Sequence, residues 1–165
     1  MFLPKNNGRY FWFNGDSLEA PIIFEFVGML LGLSIYNSIQ LDLHFPLLVY
    51  KKLLEDDLTK IDYFEELKEV EPDVYKGIKQ MLDSKESLAG LDLTFEVETE
   101  SFGVKTQHDL KPGGSKIAVT HHSKFEYAQL YSEWLLNKHV EAKFRSFKKG
   151  FYRVVTGTMI KVFFP

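Results

Sequence analysis

At 165 residues, with 45% hydrophobic and 15% aromatic side chains, the chain is long enough to bury a core without covalent staples. Its net charge of -3, from 20 Lys+Arg against 23 Asp+Glu, gives no electrostatic reason to recruit nucleic acid or an anionic membrane surface. It has no cysteine, which excludes disulfides, thiolate zinc sites and thiol catalysis by the chain itself.

Residues 1–15 read as irregular and aromatic, with Tyr10 to Phe13 followed by the turn signal Asn14-Gly15. Pro21 suits a first helical turn, and Ile22 to Ile39 reads as a helix that is apolar on nearly every side. Gly28, Gly32 and Ser34 would let a neighbour approach it closely. The apolar run Phe26 to Tyr36 is about half of the ~20 residues that span a bilayer, so a buried helix is expected and no membrane. Part of that helix is nevertheless expected to present an uncovered apolar surface.

Phe45-Pro46 breaks the chain, because the residue before proline avoids the α region. Pro46 then opens a helix through about Leu54. Thr59-x-x-Asp62 resembles a capping box for a helix to about Val70. Glu71-Pro72 starts another, to about Asp83, with Val74, Ile78 and Leu82 on one face. The period then changes to two. Leu91, Leu93, Phe95 and Val97 alternate with polar residues, as in a half-buried strand. Further strands are expected near Val104–Leu110 and Lys116–Thr120, with a turn at Pro112-Gly113-Gly114 between them. Ser123-x-x-Glu126 reads as a capping box for a helix through about Leu136. A last helix, about Val140 to Lys149, should stop at Gly150.

Chemistry-bearing constellations are few. His121-His122 has no further ligand at metal spacing. There is no Gly-x-Ser-x-Gly elbow, and Gly113-Gly114-Ser115-Lys116 lacks the order of a phosphate loop. The basic last helix, with Lys143, Arg145, Lys148 and Lys149, reads as a solvated face. No cofactor, metal or catalytic residue is expected.

One set of motifs does point to a family. Gly28-Met29-Leu30-Leu31-Gly32-Leu33 is followed by Leu41-Asp42-Leu43-His44-Phe45-Pro46, then by Glu71-Pro72-Asp73-Val74-Tyr75. Asp109-Leu110-Lys111-Pro112-Gly113-Gly114, Leu136-Asn137-Lys138 and Phe144-Arg145-Ser146-Phe147-Lys148-Lys149-Gly150-Phe151 come later. In order and spacing the chain resembles the N-lobe of HECT-type E3 ubiquitin ligases, most nearly the E6-associated-protein branch. The resemblance implies a mostly helical α+β fold. It implies a partial large subdomain over 1–70 and 138–165, and a small E2-binding subdomain over 71–137. The C-lobe, which carries the catalytic cysteine in this family, would be absent.

The resemblance also implies partners: an E2 ubiquitin-conjugating enzyme, ubiquitin, and protein substrates held by regions outside this chain. The expected location is cytoplasmic, with the nucleus as a second site. The carried-over feature is an apolar trough that receives a loop phenylalanine of the E2. The matching positions are Val74 and Ile78 on one helix, Leu91 and Leu93 on the strand, and Tyr127 and Tyr131 on a second helix. On an ideal strand Leu91 and Leu93 share a face with Phe95 and Val97. If that face is the core, at least one of the two leucines is structural. The expected function is to dock the ubiquitin-loaded E2 for transfer to the C-lobe cysteine, with the chain alone inactive. The alternative is an inactive scaffold or pseudo-ligase domain.

Overall fold

The computed structural model describes residues 1–84 and 92–155. It is a mixed helical and β structure, as expected of a HECT N-lobe fragment, and it divides into two compact units. One is discontinuous, 1–61 with 139–165, and the other is the continuous stretch 62–138.

In the discontinuous unit, strands β1 (Phe2–Lys5) and β2 (Tyr10–Phe13) pair antiparallel, Phe2 opposite Phe13. The sequence reading made this segment irregular. The hairpin forms because Asn6, Asn7 and Gly8 all take positive φ, which Asn and Gly tolerate where other residues resist. Four-residue strands, one holding Pro4, leave too little alternation to read. Helix α1 (Pro21–Tyr36) and helix α2 (Leu47–Leu54) follow, both introduced by proline. Helix α6 (Glu141–Tyr152) completes the unit and lies along α1.

The α1–α6 crossing depends on glycine. A Cβ on Gly28 would lie 2.0 Å from the Phe147 carbonyl oxygen, and one on Gly150 would lie 1.8 Å from the Glu25 carbonyl oxygen. Backbone meets backbone at both places. Gly150 therefore does not end α6, as the sequence suggested. It sits inside the helix, where only a missing side chain lets α1 come so near. Across the same crossing the buried Glu25 carboxylate is paired with Lys149 at 3.1 Å and Arg153 at 2.7 Å. Phe13 is the hub of the aromatic core, with ring centroids of Phe2, Phe144 and Phe147 at 5.0, 5.4 and 5.2 Å. Lys52 is buried among the rings, its ammonium 4.6 Å from the Phe144 centroid. The Lys148 ammonium and the Tyr152 hydroxyl donate to the Lys52 and Leu53 carbonyls at the end of α2. The opposite face of α1 is apolar and exposed through Ile22, Phe26, Leu30, Leu33 and Tyr36.

The continuous unit holds α3 (Tyr63–Val70), α4 (Pro72–Asp83), strands β3 (Glu96–Ser101) and β4 (Val104–Asp109), and α5 (Lys124–Glu133). A π-helical turn, Trp134–Lys138, follows α5. The N-cap of α3 is Asp62, which accepts from the Phe64 and Glu65 amides at 3.1 and 3.3 Å. Thr59 instead belongs to the preceding 3-10 turn, capped by Asp57. The Ser123 box does not close. Ser123 Oγ accepts from the Thr120 amide at 2.9 Å, and Glu126 turns to Lys111 at 2.8 Å. Instead of a third strand there is a 3-10 turn, Gly114–Lys116, and a single bridge from Thr94 to Ala118.

That departure has a cause in Phe95. Its amide is shared between the Gly114 and Ile117 carbonyls at 3.1 Å each, and its carbonyl accepts from the Leu110 amide at 2.8 Å. Lys111 lies 3.7 Å over its ring. The Asp109–Gly114 segment is thus a sleeve around one phenylalanine. A Cβ on Gly114 would come within 2.1 Å of the Phe95 carbonyl oxygen.

Candidate functional site

The candidate site lies within the continuous unit. Proline at the first helical position and the acidic Asp73 in the first turn favour the start of α4. From there Val74, Ile78, Met81 and Leu82 recur at helical spacing. Ile78 is only 9% exposed, while Val74, Met81 and Leu82 are half-buried. Asp73, Lys76, Lys79 and Gln80 on the remaining faces are exposed. Helix α4 packs on both α3 and α5. Between α3 and α4, Phe64 and Tyr75 hold ring centroids 5.0 Å apart.

On α5 the two tyrosines share a side but differ in depth. Tyr127 is 6% exposed and packs edge-on against Phe95 at 5.7 Å. It is a member of the core cluster with Val97, Leu110, Val119 and Trp134. Tyr131 is half-buried, its ring tilted 32° to that of Tyr127 at 5.7 Å. Burial, then the neighbouring Tyr131, pushes the Tyr127 hydroxyl up to about 12. Burial, then Glu71, raises Tyr131. Both phenols are neutral across the physiological range, so this surface presents apolar area and neutral hydroxyls rather than charge.

Leu93 is half-buried against the same cluster, and its carbonyl accepts from the Val119 amide at 2.7 Å. It is therefore at least partly structural. Leu91 lies outside the described residues. The structure thus brings Tyr127, Tyr131 and Leu93 to one core, and places Val74 and Ile78 on a helix packed against α5. Two residues here escaped the sequence reading. Met81 completes the α4 stripe one turn after Ile78, a signal present in the spacing. Lys124 is buried at the first turn of α5, and no local pattern marked it.

Among the described residues no group of three His, Asp or Glu could hold a metal ion. Among them too, no helix is long and apolar enough to cross a membrane.

The sequence that folds this way has relatives. The family model for the HECT domain (ubiquitin-transferase) matches residues 1–165. The chain is 36% identical over its whole length to the probable E3 ubiquitin-protein ligase HECTD2 of Mus musculus, covering 23% of that protein. It is 34% identical over its whole length to the probable E3 ubiquitin-protein ligase HERC4 of Homo sapiens, covering 15%. Over 91% of the chain it is 37% identical to the E3 ubiquitin-protein ligase RSP5 of Chaetomium thermophilum, covering 18%. The chain belongs to the HECT-domain family of ubiquitin transferases. It spans less than a quarter of the length of these relatives.

Proposed function

We propose that this chain is the E2-docking part of a HECT-type E3 ubiquitin ligase. It holds the ubiquitin-loaded E2 so that ubiquitin can pass to a cysteine supplied outside these residues, and then to a substrate lysine. The observation that carries the reading is the layered aromatic pair. Buried Tyr127 supports half-buried Tyr131 on α5, and α4, which carries the stripe of Val74, Ile78 and Met81, packs on that helix. A loop phenylalanine of an E2 buried there would gain roughly 1.5–3 kcal/mol from apolar area. With no cysteine in the sequence, the chain by itself carries no ubiquitin thioester. The narrower kinship, to the E6-associated-protein branch, rests on the sequence motifs alone. A cytoplasmic location goes with the proposed partners.

The test is titration of the chain with an E2 that carries the loop phenylalanine, followed by calorimetry or NMR. Tyr131→Ala should weaken binding by ~2 kcal/mol, about thirtyfold, with the fold intact. Tyr127→Ala is the wrong probe, because it removes a core residue. A folded Tyr131→Ala variant that binds like the wild type rejects the site. A wild type with no binding at millimolar concentration favours the scaffold reading. A reductant-sensitive ubiquitin adduct on this chain, formed with E1, E2 and ATP, would overturn its inactivity.

A further inference from the structure

Lys124 opens α5, a position where a lysine ordinarily extends into water. Here its side chain is 3% exposed. Its ammonium donates to the Leu82 carbonyl at 2.6 Å and the Ser84 carbonyl at 2.9 Å, with the Met81 carbonyl at 3.5 Å. These carbonyls close α4, and a helix cannot satisfy its own last carbonyls. A cation there also meets the negative end of the helix dipole.

The apolar contact between α4 and α5 decides which faces meet. It is non-directional, and by itself leaves α4 free to slide by a fraction of a turn. Hydrogen bonds from one ammonium to carbonyls at one helix end remove that freedom, because each holds only over a few tenths of an ångström. Tyr127 and Tyr131 lie three and seven residues after Lys124, along the same side of α5. Ile78 and Val74 lie one and two turns before Leu82. The tie therefore sits beside the candidate docking residues on both helices. Buried as it is, the ammonium itself is withdrawn from a docked partner.

We propose that Lys124 is a positioning residue for E2 docking: it sets the register of the α4 stripe against Tyr127 and Tyr131, and so the fit of an incoming aromatic side chain. The proposal rests on the docking function above.

The experiment compares wild type, Lys124→Met, Lys124→Arg, Tyr131→Ala and the Lys124→Met/Tyr131→Ala pair. Each is titrated with an E2 carrying a loop phenylalanine, at a temperature where far-ultraviolet circular dichroism shows the variant folded. Lys124→Gln replaces the methionine variant if that one does not fold. Lys124→Met should lose at least tenfold in affinity, and Lys124→Arg, which keeps donors on the carbonyls, should return to within threefold of wild type. In the Tyr131→Ala background the methionine change should cost less than a further twofold, since the register no longer has that aromatic to place. A folded Lys124→Met that binds like wild type overturns the proposal, as does a full tenfold loss repeated in the Tyr131→Ala background. The second readout needs no E2: the Ile78 methyl and Tyr131 ring resonances should move in Lys124→Met and return in Lys124→Arg. If wild type fails to bind E2, the docking function falls. Lys124 as the register-setting residue then stands if those resonances move and recover, and falls if they stay in place.

Discussion

Replacing Gly150 by alanine tests the α1–α6 crossing directly. The new Cβ would start 1.8 Å from the Glu25 carbonyl oxygen, 2.6 Å from its carbon and 2.9 Å from its Cα. All three are backbone atoms, so no side chain can swing aside, and the helices must part by ~1.5 Å to restore ordinary contact. A radial gap of 0.5–1 Å already forfeits a quarter to a half of a contact well of ~0.1–0.2 kcal/mol. Over the roughly 40 contacts expected where the buried face of α1 lies along α6, that is ~2–4 kcal/mol. Alanine returns ~1 kcal/mol through its better helix propensity, leaving a net loss of ~1–3 kcal/mol. The control is Gly77→Ala in α4, where nothing lies within 4 Å of the new atom. There only the propensity acts, and stability should rise by ~0.8 kcal/mol. The two tryptophans, Trp12 and Trp134, fall one in each unit. Labelling with 5-fluorotryptophan and following urea unfolding by fluorine NMR reads each unit separately. A Gly150→Ala variant as stable as the wild type at the Trp12 resonance refutes the close approach.

Three further outcomes follow from named side chains. Burial, the largest influence on Lys52, pushes its ammonium from the ordinary 10.5 down to about 7, although Glu141 pulls it up. The unfolded chain therefore holds more protons than the folded one between pH 7 and 10.5. Stability should rise with pH by roughly 2 kcal/mol from pH 7 to 9, as the cost of burying the charge fades. Lys52→Met should stabilise the protein by ~1–4 kcal/mol at pH 7 and remove that rise, and urea melts at several pH values showing a flat wild-type curve would contradict this. Glu25→Gln should cost ~1–2 kcal/mol, a modest value because its partners Lys149 and Arg153 are more than half exposed and can turn to water. Phe26→Glu should change stability by no more than ~0.5 kcal/mol, because the ring is 54% exposed on the outer face of α1; a loss of several kcal/mol in a thermal melt would place it in the core instead.

What could be read from the sequence was what is encoded locally. Pro21, Pro46 and Pro72 marked helix starts within a residue or so, because the ring's preset φ acts on the spot. The alternation through Phe95 and Val97 announced the β3–β4 hairpin, although the ladder begins only at Glu96. Gly150 was misread because a glycine after an apolar period resembles a helix stop, and nothing nearby in sequence reveals Glu25 pressing against it. The candidate site divides in the same way. Spacing put Tyr127 and Tyr131 on one side of α5. Their difference in depth is set by Phe95, some thirty residues earlier, and by the loop that encloses it. Lys124 carries no local mark at all, since its role depends on where α4 ends.

The glycine crossing also bears on how the molecule is made. Gly28 must come against the Phe147 backbone and Gly150 against the Glu25 backbone, yet the whole continuous unit, 62–138, lies between the two helices in the chain. At a synthesis rate of about 5–20 residues per second, α6 follows α1 from the ribosome only after roughly 6–25 seconds. During that interval Phe24, Leu31 and the glycine notch of α1 have no α6 to cover them, and by its end 62–138 has all of its own residues. The nascent chain therefore passes through a state with its second unit able to fold and its first waiting. That interval is when α1 is open to a chaperone or to another nascent chain.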